Sequence, residues 1–325
     1  MWLAALGVVL GVPGCLLVRL AYLFAFRNSD RTVSFEESVV DTELETLATV
    51  SDIDNDIYDR LAHHWWDPTK AFSAGLHAMT RLRAPVFLNY FETVQGSLDK
   101  RQQLCIVDVG CGGGILAEAL VCEAKKRGCC EVSLIGVDLA AGAVRAAHEH
   151  AQETFGPSSV AENGRSDEGV SINYRVGNAT RLSSAVAEHS ADMLVIADVL
   201  EHVLDLPSVM REISRVLKPG GVLVFDTVNR TSLSYIIAIL LAQEVPFLSL
   251  LPSHTHDWAL FLRPDELKQL CEANRLQLKF IEGFRPSLDA SLLRGLLFRS
   301  SLHRMSFTTS PDPSVQYLGY AVKSL

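Results

Sequence analysis

Three residues in the middle of the chain, Asp198, Glu201 and His202 of "DVLEH", stand at positions i, i+3 and i+4. On a helical turn that spacing brings them to one face. Two carboxylates and an imidazole facing one way can hold a divalent ion: the oxygens suit Mg²⁺, while the histidine also suits Mn²⁺ or Zn²⁺. The same letters form an acidic capping box, with Asp198 at the N-cap and Glu201 three residues on. Spacing alone leaves ion and cap both open. A second chemical candidate is "SHTHDW", Ser253 to Trp258. There His256 can act as a general base close to neutral pH, with Asp257 to orient it.

A third stretch binds rather than reacts. "VDVGCGGGILAEAL", Val107 to Leu120, places four glycines between an apolar run and a helix-like run. Glycine loses the most backbone freedom on folding, so its use here implies close approach to bare backbone. A glycine turn leading into a helix exposes N–H groups to a ligand. The spacing is GxGxG (Gly110, Gly112, Gly114), and Ile115 stands at the third position of the GxGxxG dinucleotide fingerprint. With Asp108 inside the preceding run, the pattern is typical of S-adenosylmethionine binders. Asp138 closes the next strand-like run, "EVSLIGVDL", where a carboxylate accepts ribose hydroxyls.

The elements that must position these groups alternate in type. "LCIVDVG", "EVSLIGVDL", "INYRVGNAT", "ADMLVIADVL" and "GGVLVFDTV" read as strands, with helix-like runs such as "AGAVRAAHEHAQETF" and "LPSVMREISRVL" between them. Near-continuous apolar strands in that order predict an α/β, doubly wound sheet, mostly parallel and covered on both faces. "LQLKFIEGF" and "VQYLGYAVKSL" add strands at the end, and "GPSSVAENGRSDEG" reads as an exposed loop. Ahead of the sheet, from Ile53, a helical region broken at Pro68 and Gly75 carries "AHHWWDP". Trp65 and Trp66 read as the core of that cap; His63, His64 and His77 are expected to line or close a pocket.

Composition narrows the function. A net charge of −9 over 325 residues gives no basic field for nucleic acid. Seven cysteines without a CxxC pair fit buried thiols in a reducing compartment. The mean hydropathy of +0.19 is high and has two sources. Residues 1–30 form a hydrophobic leader or membrane anchor, and 31–52 an acid-rich linker to the main domain, 53–325. Arginines after the apolar run leave that domain on the cytosolic or matrix side. The other source is "SLSYIIAILLAQEVPFLSLLP", Ser232 to Pro252: a buried helix or an interfacial one that touches a membrane surface.

These pieces, with "YDRLAHHWWD", "GLHAMTRLR", "VLEHVLD", "LKPGGVLVFDTVNR" and "THDWALFLRPDEL", make the chain resemble the class I methyltransferases. Within them it is similar to the ubiquinone-biosynthesis O-methyltransferases. The resemblance implies a Rossmann-like sheet of seven strands with an antiparallel C-terminal strand and a helical N-terminal cap. It implies methyl transfer from S-adenosylmethionine to a phenolic hydroxyl of a polyprenylated catechol or demethylubiquinol. Residue by residue, it implies cofactor contacts at Arg83, Gly110, Gly112, Asp138 and Ala197, and raises Asp198, Glu201 and His202 as ligands of a divalent metal, Mg²⁺ by preference. Asp198 stands where the family more often has Glu. Partners would be the lipophilic polyprenyl phenol, the membrane surface and other ubiquinone-biosynthesis proteins in a complex; in a eukaryote the location would be the matrix side of the mitochondrial inner membrane. Departures after Gly283 leave two alternatives open: another lipophilic phenol as substrate, or a non-catalytic methyltransferase-fold subunit.

Overall fold

The computed structural model describes residues 57–160, 169–244, 255–297 and 299–325. The expected leader (1–30), linker (31–52), most of the loop after Gly156 and residues 245–252 of the apolar segment lie outside the described residues.

Eight strands form one sheet: β1 Gln103–Val109, β2 Glu131–Asp138, β3 Val170–Val176, β4 Ala191–Ala197, β5 Leu217–Val228, β6 Leu276–Pro286, β7 Phe307–Ser310 and β8 Gln316–Lys323. Their order is β3-β2-β1-β4-β5-β8-β6-β7. The first five run parallel. β8 inserts between β5 and β6, antiparallel to both. The sequence reading of seven strands is one short. β7 has four residues in a polar Ser/Thr context, and it forms because Gly283 to Pro286 of β6 offer it a free edge.

Side chains alternate across the sheet with period two, so each central strand feeds two cores. Ile106, Leu134, Ile172 and Val224 pack on one face against helices α1 (Ala71–Gln95), α2 (Ile115–Lys126) and α3 (Ala141–Phe155). Val107, Leu194, Ile196 and Phe225 pack on the other against α4 (Leu206–Val216) and α5 (Pro264–Ala273). A last helix, α6 (Ala290–Leu297), follows β6. The expected break at Gly75 does not occur, for α1 runs through it. A helical glycine costs about 1 kcal/mol against alanine. Full burial of Ala74, Phe87, Leu88 and Phe91 on the same helix outweighs that cost.

Candidate active site

The chain leaves β1 at Val109 and turns through Gly110 (φ 73°) and Gly112 (φ 51°) before α2 begins at Ile115. Both angles lie in the left-handed region, where a Cβ is strained. Space is also absent: a Cβ on Gly110 would strike the Val199 side chain, and one on Gly112 the Trp65 ring. Trp65 is therefore one of the groups lying against bare backbone, buried with Ile115 and Ala143 as cap core. Trp66 joins it by donating its indole N–H to the Gly113 carbonyl (2.8 Å) and stacking on His150. His77 sits 3.0 Å from the Trp65 carbonyl. Neither it nor His63 or His64 is part of the cavity lining, which corrects the expectation that they close the pocket.

Asp138 ends β2 facing this loop. Its Oδ2 accepts the Gly112 N–H at 2.8 Å and its Oδ1 the Ala140 N–H at 2.9 Å. Burial raises its pKa against the lowering effect of those two bonds. The carboxylate thus locks the loop in place while bordering the cavity.

At the end of β4, Ala197 lines the cavity and Asp198 takes a left-handed conformation (φ 53°). Its Oδ2 pairs with Arg83 Nη2 of α1 at 2.6 Å, and its Oδ1 accepts from Gln316 at 3.2 Å. Arg83 is itself buried and holds Asp226 of β5 at 2.7 Å. Burial works to raise the Asp198 pKa, but Arg83 overrides it and holds the carboxyl below its usual value. Glu201 is fully buried, with one oxygen accepting from Thr227 Oγ1 at 2.8 Å and the other, Oε1, without a hydrogen-bond partner. Burial, then the nearby Asp198, pushes its pKa up to about 8.

His202 and His256 stack with ring centroids 5.0 Å apart, and each buries an Nδ1 with no hydrogen-bond partner. Burial pushes His202 down to about 3 and His256 to about 4. Both imidazoles are neutral near pH 7. Ligand atoms of Glu201, His202 and His256 lie within 4.8 Å of one another. The turn Leu200–His202 has no side-chain cap, and Asp205 caps the following helix. The capping-box reading of "DVLE" is thus replaced by the ion pair and the buried cluster.

Loop and cluster open into one cavity of about 860 Å³. Its lining also includes the apolar Leu233, Ile237, Ala242, Phe284, Leu292 and Phe307. The first three belong to a helical turn, Ser232–Ser234, that continues as π-helix over Tyr235–Glu244. Gln243 in that segment grips the His256 backbone, accepting its N–H at 2.6 Å and donating to its carbonyl at 3.3 Å.

Comparison with known proteins matches residues 107–225 to the methyltransferase domain family. The Leptothrix cholodnii ubiquinone biosynthesis O-methyltransferase is 36% identical over 228 residues, 70% of this chain and 83% of the relative. The Hahella chejuensis protein of the same name is 32% identical over 268 residues, 82% of this chain and 93% of the relative. The human mitochondrial ubiquinone biosynthesis O-methyltransferase is 32% identical over 269 residues, 81% and 63% respectively. The chain belongs to the ubiquinone biosynthesis O-methyltransferase family.

Within that family frame, the fold gathers the residues singled out from sequence around one cavity. Arg83, Gly110, Gly112, Asp138, Ala197, Asp198, His202 and His256 all line it, and Glu201, which does not, clusters with His202 and His256. The arrangement parts from the expected one in two ways. Asp198 is engaged at both oxygens, and His256, read as a base, joins Glu201 and His202 instead. Arg83 is bound to two carboxylates before it meets any ligand. Asp226, Thr227, Gln243 and Gln316 were not anticipated. Asp226 carried a signal, a lone acid in the apolar strand "VLVFDTV"; the others carried none.

Proposed function

We propose that this chain methylates a phenolic hydroxyl of a polyprenylated catechol or demethylubiquinol, with S-adenosylmethionine as donor, in ubiquinone biosynthesis. One observation carries the reading: family membership coincides with a cavity that joins a glycine loop to a cluster of unpaired polar atoms and an apolar channel. The loop and Asp138 hold the nucleoside end of the cofactor, the carboxylate receiving ribose hydroxyls. Ala197, which lines the same cavity at the end of β4, would border the methyl-bearing end of the cofactor.

The reaction is an in-line displacement. The phenolic oxygen forms a bond to the methyl carbon as the C–S bond breaks, and the electron pair stays on sulfur. The protein must align the oxygen and take its proton. The imidazoles that line the cavity beside the oxygen are those of His202 and His256. Both imidazoles are neutral near pH 7 and able to take the proton, whereas Glu201, raised to about 8, already carries one. Glu201 and His202 would also hold the divalent ion implied by the family pattern, and their unpaired buried atoms fit it. Such an ion, when bound, supplies a Lewis acid that lowers the phenol pKa.

The apolar channel takes the polyprenyl tail, and the exposed Leu233, Ile236, Ile237 and Leu241 beside it meet the bilayer. Among the described residues, no helix is long and apolar enough to cross a membrane. In a eukaryote the reading places the protein on the matrix side of the mitochondrial inner membrane, beside other enzymes of the pathway. The test is lipid-extract quinone profiling of cells lacking the protein, together with methylation of a short-tailed catechol by the purified chain. Accumulation of an unmethylated polyprenyl precursor is expected. An unchanged quinone profile with no turnover in vitro would overturn the assignment.

A further inference from the structure

The single helical turn Ile57–Arg60 stands outside the stretch 107–225 that matches the methyltransferase domain, yet Ile57, Tyr58 and Asp59 all line the cavity. We propose that this turn is a latch over the cofactor. Tyr58 covers the bound molecule between its ribose and its reacting end, and Asp59 fastens the turn to α3. Cofactor exchange then requires Asp59 to let go. The proposal rests on S-adenosylmethionine occupying the cavity, and it adds a contact residue and a release step to that reading.

One bond does the fastening. Asp59 Oδ1 accepts the Gly142 N–H of α3 at 2.5 Å, across 83 residues of chain. α3 lacks a cap of its own, for Ala140 stands at its N-cap position and offers no side-chain bond. First-turn N–H groups of a helix need an acceptor, and a carboxylate there also meets the positive end of the helix dipole. Asp138 takes the neighbouring Ala140 N–H at 2.9 Å. The start of α3 is thus gripped from two sides, by the ribose carboxylate and by the cap. Apolar packing holds the turn only in part: Tyr58 is half-buried against the cap core, while Asp59 and Arg60 are exposed. Elements with few buried contacts are the readiest to open.

Tyr58 is placed to use that closure. Its ring centroid lies 6.3 Å from that of Trp65, which packs on the glycine loop, and 6.5 Å from that of His202, edge-on. The side chain therefore spans from the cofactor loop to the end of β4. Desolvation in the cavity wall, then the nearby Asp198, Glu201 and Asp138, push its phenol well above the usual value, so the ring stays neutral. A neutral aromatic ring there attracts a sulfonium cation to its π-face. S-adenosylmethionine carries that charge; S-adenosylhomocysteine does not.

The experiment follows release of radiolabelled S-adenosylhomocysteine from the full chain after an excess of the unlabelled compound is added. Asp59→Ala removes the latch bond. Gly142→Ala crowds the same bond from the helix side, its Cβ falling 2.8 Å from Asp59 Oδ1, and Gly142 is not part of the cavity lining. Each should speed release at least about tenfold, as expected for loss of a charged hydrogen bond. The double variant should release no faster than either single one, since both break one contact. Gly142→Ala should unfold near the wild-type temperature, because alanine's helix preference offsets the lost cap. Tyr58→Leu should weaken S-adenosylmethionine roughly 3- to 30-fold more than S-adenosylhomocysteine, and Tyr58→Phe should restore both. In the wild type, S-adenosylhomocysteine should slow tryptic cleavage after the exposed Arg60, a result that needs no variant to fold. Unchanged release in Asp59→Ala and Gly142→Ala, equal loss of the two ligands in Tyr58→Leu, or cleavage at Arg60 indifferent to ligand would each overturn the proposal. A wild type that binds no S-adenosylhomocysteine at all would overturn the cofactor reading itself, and the latch with it.

Discussion

Asp138 shows how one side chain carries two duties. It accepts two backbone N–H bonds that set the glycine loop, and it borders the space where the ribose belongs. Asp138→Ala should therefore weaken S-adenosylhomocysteine by roughly 1.5–3 kcal/mol per charged hydrogen bond lost, and lower the melting temperature of the unliganded protein as well. Calorimetry and thermal unfolding check the two effects separately; unchanged affinity would mean that the ribose is held elsewhere. Glu118 of α2, behind the same loop, makes a pH prediction. It is buried, one oxygen lies 2.9 Å from His150 Nδ1, and burial pushes its pKa up to about 8. A carboxyl raised in the folded state binds its proton more tightly there than in the unfolded chain. Its contribution to stability is thus greatest below its ordinary value of 4.5 and is lost as pH rises toward about 8. Glu118→Gln mimics the neutral acid and should flatten that slope. The gain at pH 8.5, by denaturant titration, should be on the order of 1–3 kcal/mol, and near zero at pH 4. Equal effects at both pH values would show that Glu118 is not the titrating group.

At the scale of elements, the π-helical segment Tyr235–Glu244 connects surface to chemistry. Gln243 near its end holds both backbone polar groups of His256. Gln243→Leu removes both bonds while keeping an apolar side chain of similar reach. Displacement of a reacting-centre group by about an ångström costs up to 100-fold, so kcat should fall roughly 10- to 100-fold. S-adenosylhomocysteine affinity should not change, because the glycine loop and Asp138 are built by other elements. A loss shared equally between kcat and cofactor affinity would mark Gln243 as a purely structural residue. The alternation of strands with helices and the glycine loop were legible in the sequence because each is a local pattern, a near-continuous apolar run or a fixed spacing. The site's wiring was not. Arg83 lies on a helix far ahead of Asp198 and Asp226, and His256 lies in a loop far behind Glu201. Only the parallel crossovers, which bring the C-terminal ends of β4 and β5 under α1, make these residues neighbours. For the same reason Asp198 could be read as ligand or cap: its side chain is claimed by a partner that spacing does not reveal. β7 escaped because a four-residue strand needs a neighbour's edge more than a pattern of its own.

Considered as a whole molecule, the chain presents a cavity lined by both polar and apolar groups, and an apolar patch on a segment that contributes to its wall. Leu233, Ile236, Ile237 and Leu241 are each at least 40% exposed. A net charge of −9 means that attraction to anionic lipid cannot supply the binding energy. Insertion of apolar side chains must do so, at roughly 1.5–3 kcal/mol for each side chain fully removed from water. Vesicle binding should accordingly persist on zwitterionic lipid and vary little with salt. A chain lacking residues 1–30 should still co-sediment with such vesicles through this patch. Leu233 and Ile237 also line the cavity, whereas Ile236 and Leu241 do not, so the latter pair separates membrane docking from substrate binding. Placing charges there, Ile236→Glu with Leu241→Glu in the truncated chain, should reduce co-sedimentation at least about tenfold. Turnover of a short-tailed, water-soluble catechol should remain, while turnover of a long-tailed substrate presented in vesicles should collapse. If the truncated chain with its native patch never sediments with lipid, Ser232 to Glu244 serve only as the wall of the channel, and the tail must be delivered by another protein.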